Sequence, residues 1–354
     1  MLRPHTRAEV SFEIRREIGS EGKNSKTHIA FDNHLKAELV VKIIQKSTIH
    51  DAGEYFNEAS ILYLSSHPNV VPVHYACEDV DAIYILMPYY QNGSLKRRMG
   101  SGFLTVREIV RYSTQFLSGL HNIHSKGLIH FDVKSDNILL SDRDEAMLAD
   151  FGLAKQVDYS GLAGQDRIYN KMRPPETFLG DQFSRSFDLY QAGLTLYRMA
   201  NGEANFYSQF GRYLVWPTAA NPIGFDRDAF KFAVRNERFP DRNSYLEHIP
   251  TRLRNTINKC LKADPHQRYT SAIDVVNDLA DITTEYLDWR YQGSTGTGRQ
   301  WVKEVGGTRY QLTIDPSGVA AAEKKVGDAI ARRIAAYCRP TLSGAEIKRF
   351  LKAH

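Results

Sequence analysis

Cysteine is scarce: Cys77, Cys260 and Cys338 are the only three in 354 residues. An odd, widely spaced set supplies neither a disulfide framework nor the paired spacing of a zinc site, and it points to a reducing compartment. No apolar run is long enough to span a bilayer, and the opening MLRPHTRAEV lacks the apolar core of a secretory signal. These absences lead us to expect a soluble, cytoplasmic chain with no membrane span. Internal repeats are also missing, which removes solenoid architectures.

A surplus of one charge sign is absent from most of the chain. The net charge is +5, yet residues 291–354 carry eleven Lys and Arg against five Asp and Glu, whereas residues 1–290 carry 35 against 36. The body is neutral and the tail is basic. The change falls at YQGSTGTGRQ, whose Gly, Ser and Thr read as a linker, so a boundary near 290 is expected. Hydrophobic residues at 42% and charged residues at 25% are ordinary for a globular protein, and the length allows two domains or one bilobed unit.

Residues 10–46 read as strands: SFEIRREIG alternates, THIAFD is half-apolar, and AELVVKIIQK is rich in β-branched residues. The segment GSEGKNS between the first two, with Gly19, Gly22 and Ser25, suits either an ordinary hairpin turn or a cover of backbone N–H groups over a phosphate. Lys42 closes the apolar run LVV and either points to water or reaches an anion. GEYFNEASILYL has apolar residues near helical spacing and carries Glu58, which could face Lys42 across a cleft. AIYILMPYYQNGSL reads as a buried strand that breaks at Pro88, a hinge between a sheet-rich part and a helical one.

After a helical pattern that stops at Ser-Lys-Gly come HFDVKSDNILL and EAMLADFGLAK. Asp132 can accept a proton from a hydroxyl, Lys134 can neutralise a phosphoryl group, and Asn137 and Asp150 are hard oxygen ligands suited to magnesium on a triphosphate. Each taken singly is equally a turn residue. Their joint order and spacing are far more demanding.

From about residue 12 to about 285 the chain resembles the eukaryotic-type protein kinases, in a variant lacking the usual arginine before the catalytic aspartate. HFDVKSDN resembles the catalytic loop, DFG (150–152) the magnesium motif, and VVK (40–42) the strand with the ATP lysine. RPPE ends in Glu176, SFDLYQAGLTLY carries Asp188, and DPHQRYT carries Arg268, three positions of the helical lobe. The resemblance implies an α+β bilobed kinase fold, with an N-lobe over 10–88, a helical C-lobe over 89–290, and an appended module over 291–354. It implies a Ser/Thr-directed protein kinase using ATP and Mg2+ on a protein substrate. Gly19, Gly22 and Ser25 would cover the phosphates, and Lys42, oriented by Glu58, would hold them. Met87 would be the gatekeeper, with Tyr89 and Tyr90 in the hinge. Asp132 would be the base, Lys134 its support, and Asn137 and Asp150 the metal ligands.

The departures are informative. The glycine loop is one residue longer than usual, and Ser25 stands for its third glycine. Phe131 replaces the arginine that in many kinases pairs with a phosphorylated activation loop. Between DFG and RPPE there is no threonine, only Tyr159, Ser160 and Tyr169 with hydroxyls. Activity without activation-loop phosphorylation is therefore expected, and Lys134 loses a partner that Ser/Thr kinases commonly provide. Two rival functions are a catalytically silent scaffold, which the altered glycine loop favours, and a small-molecule kinase, which the Glu176, Asp188 and Arg268 set disfavours.

The aromatic stretch 205–226 is expected to cover the helical lobe. The tail reads as a ββαα-like module: a hairpin turning at Gly306-Gly307, a helix from about Val319 to Cys338, and a shorter one in SGAEIKRFLKAH. Its basic charge suits an acidic partner such as nucleic acid, lipid or protein, or is a solvated face.

Overall fold

A computed structural model describes residues 10–18, 25–49, 56–218, 221, 224–283, 285–293 and 298–354. Five strands open the fold: β1 (Phe12–Glu17), β2 (Ser25–Asp32), β3 (Ala37–Gln45), β4 (Tyr75–Glu78) and β5 (Ala82–Pro88). They form an antiparallel sheet in the order β1-β2-β3-β5-β4. Period-two alternation puts Ala30, Leu39, Val41 and Leu86 into one small core. The other face packs Ile83 and Ile85 on Ala59 of helix α1 (Asn57–Leu64).

Beyond Pro88 the chain turns helical, through α2 (Leu95–Gly100) and α3 (Val106–Ser125). Thr105 and Glu108 form a capping box that starts α3. Short strand pairs follow: β6 (Leu128–Ile129) with β9 (Lys155–Gln156), β7 (Ile138–Leu140) with β8 (Ala146–Leu148), and β10 (Ala163–Gly164) with β11 (Gln182–Phe183). Helix α4 (Ser186–Asn201) runs through the centre and is buried from Phe187 to Asn201. Helices α5 (Glu203–Gly211), α6 (Arg227–Arg235), α7 (Thr251–Cys260) and α8 (Ala272–Ala280) complete this part. The large core joins α3, α4, α7 and α8.

The stretch 205–226 covers the helical core as expected, though not with every aromatic. Phe206, Phe210 and Phe225 are buried against Phe230 and Phe239, with Tyr213 beside them, whereas Trp216 is exposed.

The tail departs from the ββαα-like expectation. Five antiparallel strands, β12 (Arg290–Tyr291), β13 (Arg299–Val305), β14 (Thr308–Ile314), β15 (Ala320–Val326) and β16 (Arg332–Arg333), form a sheet in chain order under one helix, α9 (Gly344–Ala353). The hairpin at Gly306 and Gly307 is present, with φ of 55° and 69° that suit glycine. The helix expected from Val319 to Cys338 is absent: residues 320–326 pair along β14. The run AAAEKK favours helix by local propensity, but tertiary packing overrides it. As a strand it directs Ala320 and Ala322 into the core with Trp301, Leu312, Ile347, Phe350 and Leu351, where small side chains admit α9. Trp289 shares this core and donates its indole N–H to the Leu351 carbonyl at 2.7 Å. Phe103 and Leu246 of the helical part pack on it, and Arg299 pairs with Glu247 at 2.7 Å. No helix among the described residues is long and apolar enough to cross a membrane.

Candidate active site

The cleft between the first sheet and the helical part gathers the residues singled out above. From β3, Lys42 extends its Nζ to 2.6 Å from Glu58 Oε1 and 2.9 Å from Asp150 Oδ1. The side chains of Lys42 and Glu58 are both nearly buried, while that of Asp150 remains 47% exposed toward the cleft. Burial alone would depress the Lys42 ammonium, but Asp150 and Glu58 together hold its pKa above the ordinary lysine value. Lys42 holds the Asp150 carboxyl down at about 2, against the opposing effect of burial. Burial raises Glu58, with Lys42 pulling the other way. Gly152 packs closely here: a Cβ would sit 3.2 Å from Lys42 Nζ and 3.3 Å from Asp150 Oδ1, so the ion pair would have to shift by a few tenths of an ångström to admit one.

The loop after β6 supplies the other half. Asp132 Oδ2 accepts from Asn137 Nδ2 at 2.8 Å and lies 3.1 Å from Lys134 Nζ. Its Oδ1 is buried with no hydrogen-bond partner among the described residues. Burial raises the Asp132 pKa, Lys134 lowers it, and the negative charge of Asp150 raises it further, so its net displacement is upward. Burial lowers and Asp132 raises the Lys134 ammonium, and the net displacement is again upward. The two halves are joined by backbone: Ala149 N donates to Asn137 O at 2.9 Å, next to Asp150 in sequence. His130 Nε2 lies 3.1 Å from the Ala149 carbonyl.

Backbone strain marks this loop. Phe131 and Asp150 have φ of 65° and 59°, a left-handed conformation that costs a non-glycine residue roughly 1–3 kcal/mol. Asp188 holds the first of these from α4. It is fully buried, and its Oδ1 accepts from Phe131 N and its Oδ2 from His130 N, each at 2.8 Å. His124 Nε2 lies 2.8 Å from the same Oδ2. The Phe131 ring is 1% exposed and packs edge-on to Phe187 and Phe183, with Ile129 and Ala163 in the same cluster. An apolar anchor therefore ties the catalytic-type loop to residues 163 and 183 of the following segment.

Met87 faces Val40 across the sheet at the inner end of β5, and Tyr89 and Tyr90 follow Pro88 in the connection to α2. Ser25 opens β2 opposite Ile44, whereas Gly19 and Gly22 lie outside the described residues. Arg268 forks onto both Glu176 oxygens at 2.8 and 2.6 Å and also donates to the Ser186 carbonyl. Of the residues proposed from sequence that are described here, Lys42, Glu58 and Asp150 form one cluster and Asp132, Lys134 and Asn137 another, linked by the Ala149–Asn137 backbone hydrogen bond, and Asp188 braces the second.

Sequence reasoning missed three contributors. Gln191 accepts from Val133 N at 2.8 Å and donates to the Phe131 carbonyl at 3.2 Å, clamping the loop from both sides. A Gln three residues after Asp188, on the same face of the helix, was the available signal. Thr195, one turn further along α4, donates to the Gln191 carbonyl. Tyr169 lays its ring 3.8 Å from Lys134 Nζ, so the lysine expected to lose a partner has an aromatic face instead.

A model for the protein kinase domain family matches residues 12–279. The chain belongs to the protein kinase family. The match includes every cluster residue above and leaves the five-stranded tail outside it. The kinase domain is 26% identical over 283 residues to a probable serine/threonine-protein kinase of Clostridium acetobutylicum, covering 78% of this chain and 40% of that one. It is 27% identical to the serine/threonine-protein kinase PknD of Chlamydia caviae, covering 78% and 32%. It is 24% identical to the serine/threonine-protein kinase PrkC of Bacillus subtilis, covering 76% and 40%. The chain thus spans well under half the length of these relatives.

Proposed function

We propose that this kinase transfers the γ-phosphate of ATP to serine or threonine hydroxyls of protein substrates, with magnesium, in the cytoplasm. The observation that carries the proposal is the convergence on one cleft of the Lys42–Glu58–Asp150 cluster and the Asp132–Lys134–Asn137 cluster. Lys42, held by Glu58, presents its charge to the phosphates, and the segment with Gly19, Gly22 and Ser25 covers them. The connection at Tyr89 and Tyr90 offers main-chain groups to the adenine, with Met87 behind it. Asp132 accepts the hydroxyl proton, and Lys134 offsets charge on the phosphoryl group. The donor set fits magnesium: Asp150 keeps an open, ionised carboxylate, and Asn137 turns its amide nitrogen to Asp132, which leaves its oxygen for a hard cation. Asp150 and Asn137 would hold the magnesium, which would supply positive charge to offset that of the phosphate oxygens.

The test is incubation with labelled ATP, magnesium and a generic protein acceptor. Wild type is expected to label the acceptor on serine or threonine, and Asp150→Asn to lose labelling. No transfer by wild type with any divalent metal would sink the proposal, and label found on tyrosine would correct the acceptor class. We propose the division 10–88, 89–290 and 291–354 for the two lobes and the appended module, the last of which takes an acidic partner.

Activation is proposed to need no loop phosphate. Phe131 fills with aromatic packing the position from which an arginine would receive one. Ser160 donates to Asp158 at 2.6 Å and Tyr159 points into solvent. The triple variant Tyr159→Phe, Ser160→Ala, Tyr169→Phe, which keeps the ring over Lys134, should therefore match wild-type turnover within about twofold, since surface changes of this kind are nearly neutral. Loss of activity in a folded triple variant would count against it.

A further inference from the structure

We infer that the free end of the C-terminal sheet is a docking tip for an anionic lipid surface. Two turns meet there. The β13–β14 turn at Gly306-Gly307 and the end of β15 are joined by Gly327 N donating to Gly307 O at 2.8 Å. The opposite end of the sheet is tied to the kinase domain through Arg299 and Glu247. The seven residues of β13 carry the tip roughly 20 Å from that anchor.

Three aliphatic side chains stand in solvent at this end: Val305 at 48%, Val326 at 54% and Ile330 at 90% exposure. The apolar core of the module is closed separately beneath α9, so these residues take no part in it. Basic residues surround them. Segments 303–309 and 324–333 hold six Lys and Arg against two acidic residues, Glu304 and Asp328. Lys325 is the register partner of Arg309, and Arg332 of Lys324, so the charges form a collar across three strands. Arg309 lies 3.9 Å from Glu304, while Lys324, Lys325, Arg332 and Arg333 have no ion-pair partner among the described residues.

Aliphatic residues at the apex with cations set behind them match the layering of a membrane interface. Val and Ile enter the boundary between headgroups and acyl chains, and Lys and Arg stay at the level of anionic headgroups. Nucleic acid would satisfy the charges but not the apex, because stacking on bases calls for aromatic or guanidinium faces and Val or Ile offers neither. Charge complementarity and exposed aliphatics together favour the lipid surface. The surface is independent of whether the kinase turns over.

The full chain is tested by co-sedimentation with phosphatidylcholine vesicles, with and without phosphatidylserine, at physiological ionic strength. Binding is expected to the phosphatidylserine vesicles and to weaken at least about tenfold on pure phosphatidylcholine or in Lys324→Glu with Lys325→Glu, since each basic residue near an anionic surface contributes roughly fivefold. Ile330→Glu is expected to weaken it about as much, and Ile330→Leu to preserve it. All three positions are exposed, so folding is checked simply by unchanged melting. Absence of binding to phosphatidylserine vesicles would overturn the inference. So would binding that Ile330→Glu leaves intact, or tight binding of a short single-stranded oligonucleotide equally indifferent to Ile330→Glu, which would assign the collar to nucleic acid.

Discussion

Asp132→Asn is expected to lower phosphoryl transfer about 10²–10⁴-fold, the range a positioned general base supplies. The substitution preserves volume and one hydrogen-bonding oxygen, so Asn137 keeps a partner. It removes the proton acceptor and the charge facing Lys134 at 3.1 Å. Turnover of ATP against a saturating protein acceptor measures it, and a variant within a few-fold of wild type would remove Asp132 from the proposed role. The same residue sets a pH dependence. Burial and the nearby Asp150 raise the Asp132 pKa more than Lys134 lowers it. Only the ionised carboxylate accepts a proton, so the rate falls as pH drops through a pKa above that of an ordinary aspartate. The acid limb of the wild-type profile should therefore lie at higher pH than an exposed carboxylate would give, and Asp132→Asn should abolish it.

The features legible in the sequence were those dictated by local periodicity or by a run of chemically constrained residues. The strand character of β1 to β3, the Ser-Lys-Gly stop after α3, and the Gly306-Gly307 turn each follow from short-range composition and geometry. The site residues from Asp132 to Asp150 were legible because few backbones need Asp, Lys and Asn at those offsets beside a DFG turn. What escaped depends on partners distant in sequence. Gln191 earns its place only by reaching Val133 and Phe131 from another helix. Tyr169 meets Lys134 across the fold. The tail misled because Ala, Glu and Lys favour helix locally, while strand pairing with β14 and the space beneath α9 decided otherwise. Composition located the basic charge of the tail but not its collection at one end, since register is a tertiary property.

Asp188→Ala is expected to destabilise the protein by about 2–6 kcal/mol, because it strands two buried N–H groups at roughly 1–3 kcal/mol each. These are the amides of His130 and Phe131, each 2.8 Å from a carboxylate oxygen. One of these amides belongs to a residue whose backbone resists its own conformation, since Phe131 sits at φ 65°. Without Asp188 that strain has lost its main restraint, and the loop can relax by moving Asp132 away from Lys134 and Asn137. Loss of turnover should therefore exceed what the stability change alone explains. A chemical denaturation midpoint measures the first effect and turnover well below that midpoint the second. Should the alanine variant fail to fold, Asp188→Asn separates the contributions. Its amide keeps one acceptor oxygen and turns a donor toward the other N–H, so about half the stability loss should remain. If Asp188→Asn retains wild-type stability and turnover together, the carboxylate is not what holds Phe131 in its left-handed turn.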